Sequence, residues 1–250
     1  MAGRIHVGIG GWDYDPWRGT FYPADLPKAR QLHHASRRVS AIEINATFYK
    51  LQRPELFERW AADVPDDFVF TLKASRFCTN RKALGEGGEA IARYFSQGME
   101  RLGARLGPIL WQLAATKRFD PEEIAAFLKL LPRTVEGLPL RHAIEARHES
   151  FRDPRFAELA LEEGVAVCLV DEGSLAPVAE QTGPFTYVRL QGAREEEPAG
   201  YAPGEIDAWA KWAGRQREAG DVFLFAINGA KLRAPAAAEA LMARINNGPR

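Results

Sequence analysis

Ala41-Ile42-Glu43-Ile44-Asn45-Ala46-Thr47-Phe48-Tyr49 joins a short apolar–polar alternation to an aromatic loop. A period of two puts Ala41, Glu43 and Asn45 on one face of a strand and Ile42 and Ile44 on the other. Buried without partners, such groups would cost about 2–7 kcal/mol per neutral polar group and more for the charge. The polar face must therefore meet a partner, water or a ligand. An exposed edge strand would satisfy that demand too, so the pattern has to be followed along the chain.

The same event recurs. Strands are predicted at 4–9, 39–45, 67–73, 109–113, 140–147, 165–171, 184–192 and 221–228, from alternation or, for 165–171, from a continuous apolar run that suits a parallel strand covered on both faces. Between them lie helical or loop segments at 27–38, 55–63, 89–106, 120–131, 154–163, 174–180, 205–219 and 234–245. Asp120 with Pro121, and Pro54, mark helix starts, and Gly107 with Pro108 reads as a helix stop. Seven strands end in polar side chains: Glu43 and Asn45, Lys73, Gln112, Glu145 and Arg147, Asp171, Arg189 and Gln191, and Asn228. The first ends in Gly8, Gly10 and Gly11, which would leave room for a ligand.

Strands alternating with helices imply parallel pairing through right-handed crossovers. Eight such units in 250 residues, with no linker-like composition, predict one domain over 1–250: an α/β fold, a closed parallel (β/α)8 TIM-type barrel. An open doubly wound sheet is the alternative, but no Gly-x-Gly-x-x-Gly turn follows the first strand. In a barrel the apolar parity packs on the helices and the polar strand ends surround the mouth, where barrel active sites lie. A buried ion-pair network filling the mouth would give the same pattern.

The bulk properties exclude other classes. With 33 basic and 33 acidic residues the formal charge is zero, so no global field draws the chain to nucleic acid or an anionic membrane. Cys78 and Cys168 are far apart and lack ligand spacing, and no apolar run has signal-peptide or membrane-span length. The expectation is a cytoplasmic protein.

Gly8–Pro23 (GIGGWDYDPWRGTFYP), Glu43–Tyr49 (EINATFY), Phe70–Ala74 (FTLKA), Gly107–Leu113 (GPILWQL), Glu145–His148 (EARH) and Tyr187–Gly192 (YVRLQG) together resemble the YecE-like family, the domain of unknown function 72. The resemblance runs through nearly the whole chain in order and implies a TIM-barrel-like fold, but no reaction. Where that family reads Arg-x-His-Gly this chain has Arg189-Leu190-Gln191-Gly192; where it has Thr-His, Thr79-Asn80; where it is rich in Asn-Asn, Ile227-Asn228-Gly229.

The chemistry expected at the mouth follows from residue type. Glu43 and Glu145 are candidates for general acid and base or a glycosidase-type pair, with structural pairing of Glu43 to Lys73 and of Glu145 to an arginine as the bland alternative. Lys73 is a candidate catalytic amine; nearby carboxylates would raise its pKa and favour an electrostatic role over a Schiff base. Arg147 and Arg189 suit a carboxylate or phosphate, and the Gln191-Gly192 and Asn228-Gly229 loops follow the strands that often bind phosphate. Trp12, Asn45, Tyr49, Gln112, His148 and Asp171 complete the binding set. The expected partner is a small polar or anionic molecule with a sugar-, phosphate- or base-like part. No cofactor is expected; a divalent ion on Glu43, Glu145, Asp171 and His148 is a weaker alternative. A non-catalytic module using Arg76, Arg81, Lys82 and the aromatic loop on nucleic acid is another.

Overall fold

The computed structural model describes residues 2–171 and 183–247; the short helix expected at 174–180 lies outside them. Eight parallel strands close into a barrel: β1 (Ile5–Gly10), β2 (Ala41–Ile44), β3 (Val69–Lys73), β4 (Leu106–Gln112), β5 (His142–Glu145), β6 (Ala166–Asp171), β7 (Thr186–Leu190) and β8 (Val222–Ala226). The spatial order is β1-β8-β7-β6-β5-β4-β3-β2, and β2 returns to β1 through Gly8–Ala41, Ile9–Ile42 and Gly10–Glu43. This is the (β/α)8 barrel that the alternation implied.

Two apolar layers follow from the strand parity. Ile42, Ile44, Ile109, Trp111, Ile144, Val188 and Leu224 face outward into the layer between sheet and helices; the α-helices of the described residues are α1 (Gln31–Ala35), α2 (Ala46–Tyr49), α3 (Pro54–Asp63), α4 (Arg76–Thr79), α5 (Gly88–Phe95), α6 (Pro121–Lys129), α7 (Pro154–Glu162), α8 (Pro203–Gln216) and α9 (Ala234–Asn247). The inner parity packs Ala41, Val69, Leu110, Ala143, Cys168, Phe223 and Phe225 across the barrel axis. At the N-terminal end the Arg141 guanidinium lies over Phe185 and Phe223, 5.7 and 5.0 Å from their ring centroids, and donates to Asp221 Oδ2 at 2.7 Å.

Several expected elements differ. The helix anticipated over 89–106 is two pieces, α5 and a 3-10 turn at Met99–Arg105, broken at Gly98. Gly107 and Pro108 stop no helix; they lie inside β4. A Cβ on Gly107 would sit 2.5 Å from Val69 Cγ1 and 3.0 Å from the Phe70 carbonyl oxygen, so glycine is needed for β4 to close on β3. The segment 74–88 is not plain loop but holds α4 (Arg76–Thr79) and a 3-10 turn at Leu84–Glu86. A two-stranded antiparallel ribbon, Thr134–Val135 with Leu138–Pro139, had no signal long enough to read.

Candidate functional site

A cavity of about 570 Å³ opens at the C-terminal ends of the strands. Eight expected site residues line it: Trp12, Asn45, Tyr49, Lys73, Gln112, Arg147, Arg189 and Asn228. The topology explains the convergence, because each side chain leaves a strand end or the first residues after one. Asn45 directly follows β2 and precedes the single turn of α2 (Ala46–Tyr49), which carries Phe48 and Tyr49 to the rim. Trp12, just past β1, packs edge-on to Trp60 at 5.3 Å. Trp17 and Tyr22, by contrast, are about 1% exposed and belong to the core, so the aromatic loop divides between the two roles.

The two expected catalytic carboxylates form the floor beneath this cavity. Glu43 and Glu145 are both 0% exposed and meet on one guanidinium. Arg189 donates from Nε to Glu43 Oε2 and from Nη2 to Glu43 Oε1, each at 3.1 Å, and from Nη1 to Glu145 Oε2 at 2.6 Å. Tyr187 adds its O–H to Glu43 Oε2 at 2.9 Å and is met by Thr71 Oγ1 at 3.0 Å. Gln112 Nε2 and Arg147 Nε both donate to Glu145 Oε1, at 2.8 and 2.9 Å. Burial alone would raise the Glu145 pKa, but Arg189, Arg147 and the Gln112 amide hold it below the usual carboxylate range. Arg189 is held protonated against its burial by Glu43 and Glu145. Every carboxylate oxygen of the pair is thus engaged, and Glu145, kept ionised, is poorly suited to give up a proton as a general acid.

Lys73 stands apart. It does not pair with Glu43, contrary to the bland alternative: among the described residues its ammonium has no ion pair or hydrogen bond, and it lies 4.2 Å from the centroid of the Phe48 ring. It is 8% exposed yet lines the cavity. Its pKa is lowered to about 8, first by burial and then by Arg189, with Arg147 adding; Glu43 and Glu145 oppose the shift without cancelling it. The expected direction is reversed because burial outweighs the two carboxylates, both of which are paired to Arg189 rather than to Lys73.

Three expected site residues lie elsewhere. Asp171 is on the outward parity of β6, where it accepts the Tyr201 hydroxyl at 2.8 Å. His148 turns back on its own loop, its Nδ1 2.9 Å from Ser150 Oγ. Gln191 does not line the cavity, and its Nε2 is buried without a partner among the described residues. The proposed metal ligands Glu43, Glu145, Asp171 and His148 therefore do not converge, and the described residues contain no cluster of three or more His, Cys, Asp or Glu suited to a metal. Gly229 does not leave space for an anion either: with φ of 75°, a Cβ there would fall 2.4 Å from the Ala193 carbonyl oxygen. Cys78 is fully buried and its thiol is pushed up to about 11 by that burial.

The cavity also contains groups the sequence reading passed over, among them Asp13, Trp60, Ile227 and Lys231. Lys231 Nζ lies 4.3 Å from the Tyr14 ring centroid; its place just beyond β8 was the available signal. Charged lining groups are thus Lys73, Arg147, Arg189 and Lys231 against Asp13, and Asp13 is itself 3.2 Å from Lys28 Nζ. Arg81 and Lys82 flank the barrel instead, around a separate recess that includes Lys117 and Asp120, and Arg76 lies over the exposed Phe77 ring.

The sequence model of the family described as "Protein of unknown function DUF72" matches residues 6–250. The chain belongs to that family. Among DUF72-type relatives, UPF0759 protein YecE of Escherichia coli (strain K12) is 28% identical over 149 residues, which cover 59% of this chain and 50% of that protein. The chain thus matches about half the length of YecE. UPF0759 protein YunF of Bacillus subtilis (strain 168) is 26% identical over 259 residues, covering 90% of this chain and 88% of that protein. A DUF72 family protein of Thermotoga maritima MSB8 has the same fold, with a TM-score of 0.76 at 22% identity over 98% of this chain and all of that one. No helix among the described residues is long and apolar enough to cross a membrane.

Proposed function

We propose that this DUF72 chain is an enzyme acting on a small anionic molecule held in the C-terminal mouth of the barrel. The observation that carries the reading is that two lining cations, Lys73 and Lys231, have no ion pair among the described residues, while Arg147 and Arg189 are balanced by Glu145 and Glu43 below and the lining carboxylate, Asp13, is paired with Lys28. Such a lining attracts anions, and low-dielectric walls strengthen the attraction. Lys73 is the group placed to exchange a proton with the ligand, because it reaches the cavity and its pKa is near the working range. Arg147 and Lys231 hold the anion, while Asn45, Gln112 and Asn228 supply neutral hydrogen-bonding groups around it. Glu43, Glu145 and Arg189 act as positioning residues: the network fixes the wall from which Arg147 and Gln112 project. Rings of Trp12 and Tyr49 offer faces to a sugar- or base-like part.

A thermal-shift titration tests this. Phosphate, oxalate and glucose 6-phosphate are expected to raise the melting temperature saturably, and Arg147→Ala to weaken them at least about tenfold, the effect of one charge-assisted contact. Stabilisation by neutral glucose alone, or by none of the anions, would overturn the reading.

A further inference from the structure

The cavity contains an amine that charge attraction alone does not explain. Nothing among the described residues accepts a hydrogen bond from Lys73 Nζ, although the residue is 8% exposed and carboxylates lie on the adjacent strand β2, at Glu43, and beyond β4 on β5, at Glu145. A lysine serving only as a cation would gain from an ion pair. This one is kept out of any ion pair, because Arg189 takes both Glu43 and Glu145, and its amine rests against the face of Phe48. Desolvation beside other cations is the setting that turns a lysine into a nucleophile.

We infer that Lys73 forms a Schiff base with a carbonyl compound that carries a carboxylate or phosphate, so that the substrate class of the mouth is an oxo acid or an anionic aldehyde or ketone. This inference rests on the anion-binding reading above. The neutral amine uses its lone pair to form a bond to the carbonyl carbon, and the carbonyl oxygen takes up a proton. The nitrogen loses one proton to give the neutral carbinolamine; the hydroxyl then takes up a second proton and leaves as water while the nitrogen lone pair closes the C=N bond, and loss of the second amine proton leaves an imine, so two protons leave nitrogen and two end in water, with no oxidant or reductant consumed. Arg147 and Lys231 line the same cavity and hold the anionic end. Burial is the main influence on the protonation of Lys73; the charged groups facing it are Arg189 on β7 and Arg147 just past β5, which favour the neutral amine, and Glu43 on β2 and Glu145 on β5, which oppose them. They predict that half the amine is free near pH 8.

Glyoxylate with cyanoborohydride is the probe, since hydride from the reagent converts the imine into a stable secondary amine that peptide mass spectrometry locates. The expected result is a single adduct on Lys73, formed before the exposed lysines react, with a rate that climbs through about pH 8. Oxalate, which has the charges but no electrophilic carbonyl of this kind, is expected to protect. Lys73→Arg is expected to lose the adduct while still being stabilised by oxalate, which also shows that the variant is folded. An adduct spread over exposed lysines, with Lys73 no faster than they are, overturns the covalent step. If oxalate still binds in that case, the anion site stands without it; if oxalate binds neither protein, both readings fall.

Discussion

Lys73 and Arg189 show how two cations in one mouth divide the work. Arg189 is 2% exposed and satisfied by two carboxylates, so removing a partner leaves a buried charge uncompensated. Glu43→Leu is therefore expected to cost about 3–5 kcal/mol in urea unfolding. Lys73 is expected to behave in the opposite way. Its proton leaves near pH 8 in the folded chain and near 10.5 when unfolded. Between those values the unfolded chain holds more protons, so stability rises with pH across the window and is uniformly lower below it. Lys73→Met should accordingly raise stability at pH 7 by about 1–3 kcal/mol and flatten that rise, as denaturation at several pH values would show. Glu43, Lys73, Arg147 and Arg189 were legible as a convergent set because each closes a strand of one parity. Which cation would take the carboxylates was not, since it depends on reach across the barrel rather than on neighbouring strands. Tyr187 was missed as a member of the network for a related reason: mid-strand and aromatic, it reads as core until its hydroxyl is seen on Glu43.

At the scale of elements, strands were read more surely than the segments joining them. A strand needs only a few alternating residues, and here the recurrence of polar strand ends on a single parity reinforced each weak signal. Gly107 misled because glycine has two uses, ending helices and letting backbones approach, and only the neighbouring strand decides between them. Helix starts were reliable where the chemistry is local. Asp120 accepts the Glu123 N–H at 3.0 Å at the start of α6, and Asp120→Ala is expected to cost about 1 kcal/mol in chemical denaturation. The turn after β8 is less tolerant. Gly229 pairs with Ala193 across the loops following β7 and β8, and its left-handed backbone and lack of a Cβ are both required. Gly229→Ala is expected to destabilise by more than about 1 kcal/mol and to disturb Asn228 and Lys231, a change visible as weaker anion binding in the same thermal-shift assay.

For the molecule as a whole, acid is the predicted weakness. His6 and His142 are both pushed down to about 4 by burial. His142 is fixed as a neutral ring: Trp111 Nε1 donates to its Nδ1 at 3.1 Å, and its Nε2 lies 2.7 Å from the Pro132 carbonyl oxygen. Because the unfolded chain protonates these rings near 6.5, their contribution to stability is full above that pH and is lost as pH falls from 6.5 towards 4. Stability measured across that interval should fall with a slope approaching two protons, and His142→Gln should remove about half of it.

The floor made by Arg189 and its two carboxylates, with packed rings below it and Arg141 over the far end, makes the barrel a blind chamber. Whatever binds there must depart through the same doorway by which it arrived. If the chamber is the reaction site proposed above, an occupant and a newcomer compete for one passage, and a retained product would act as a competitive inhibitor without any separate regulatory site.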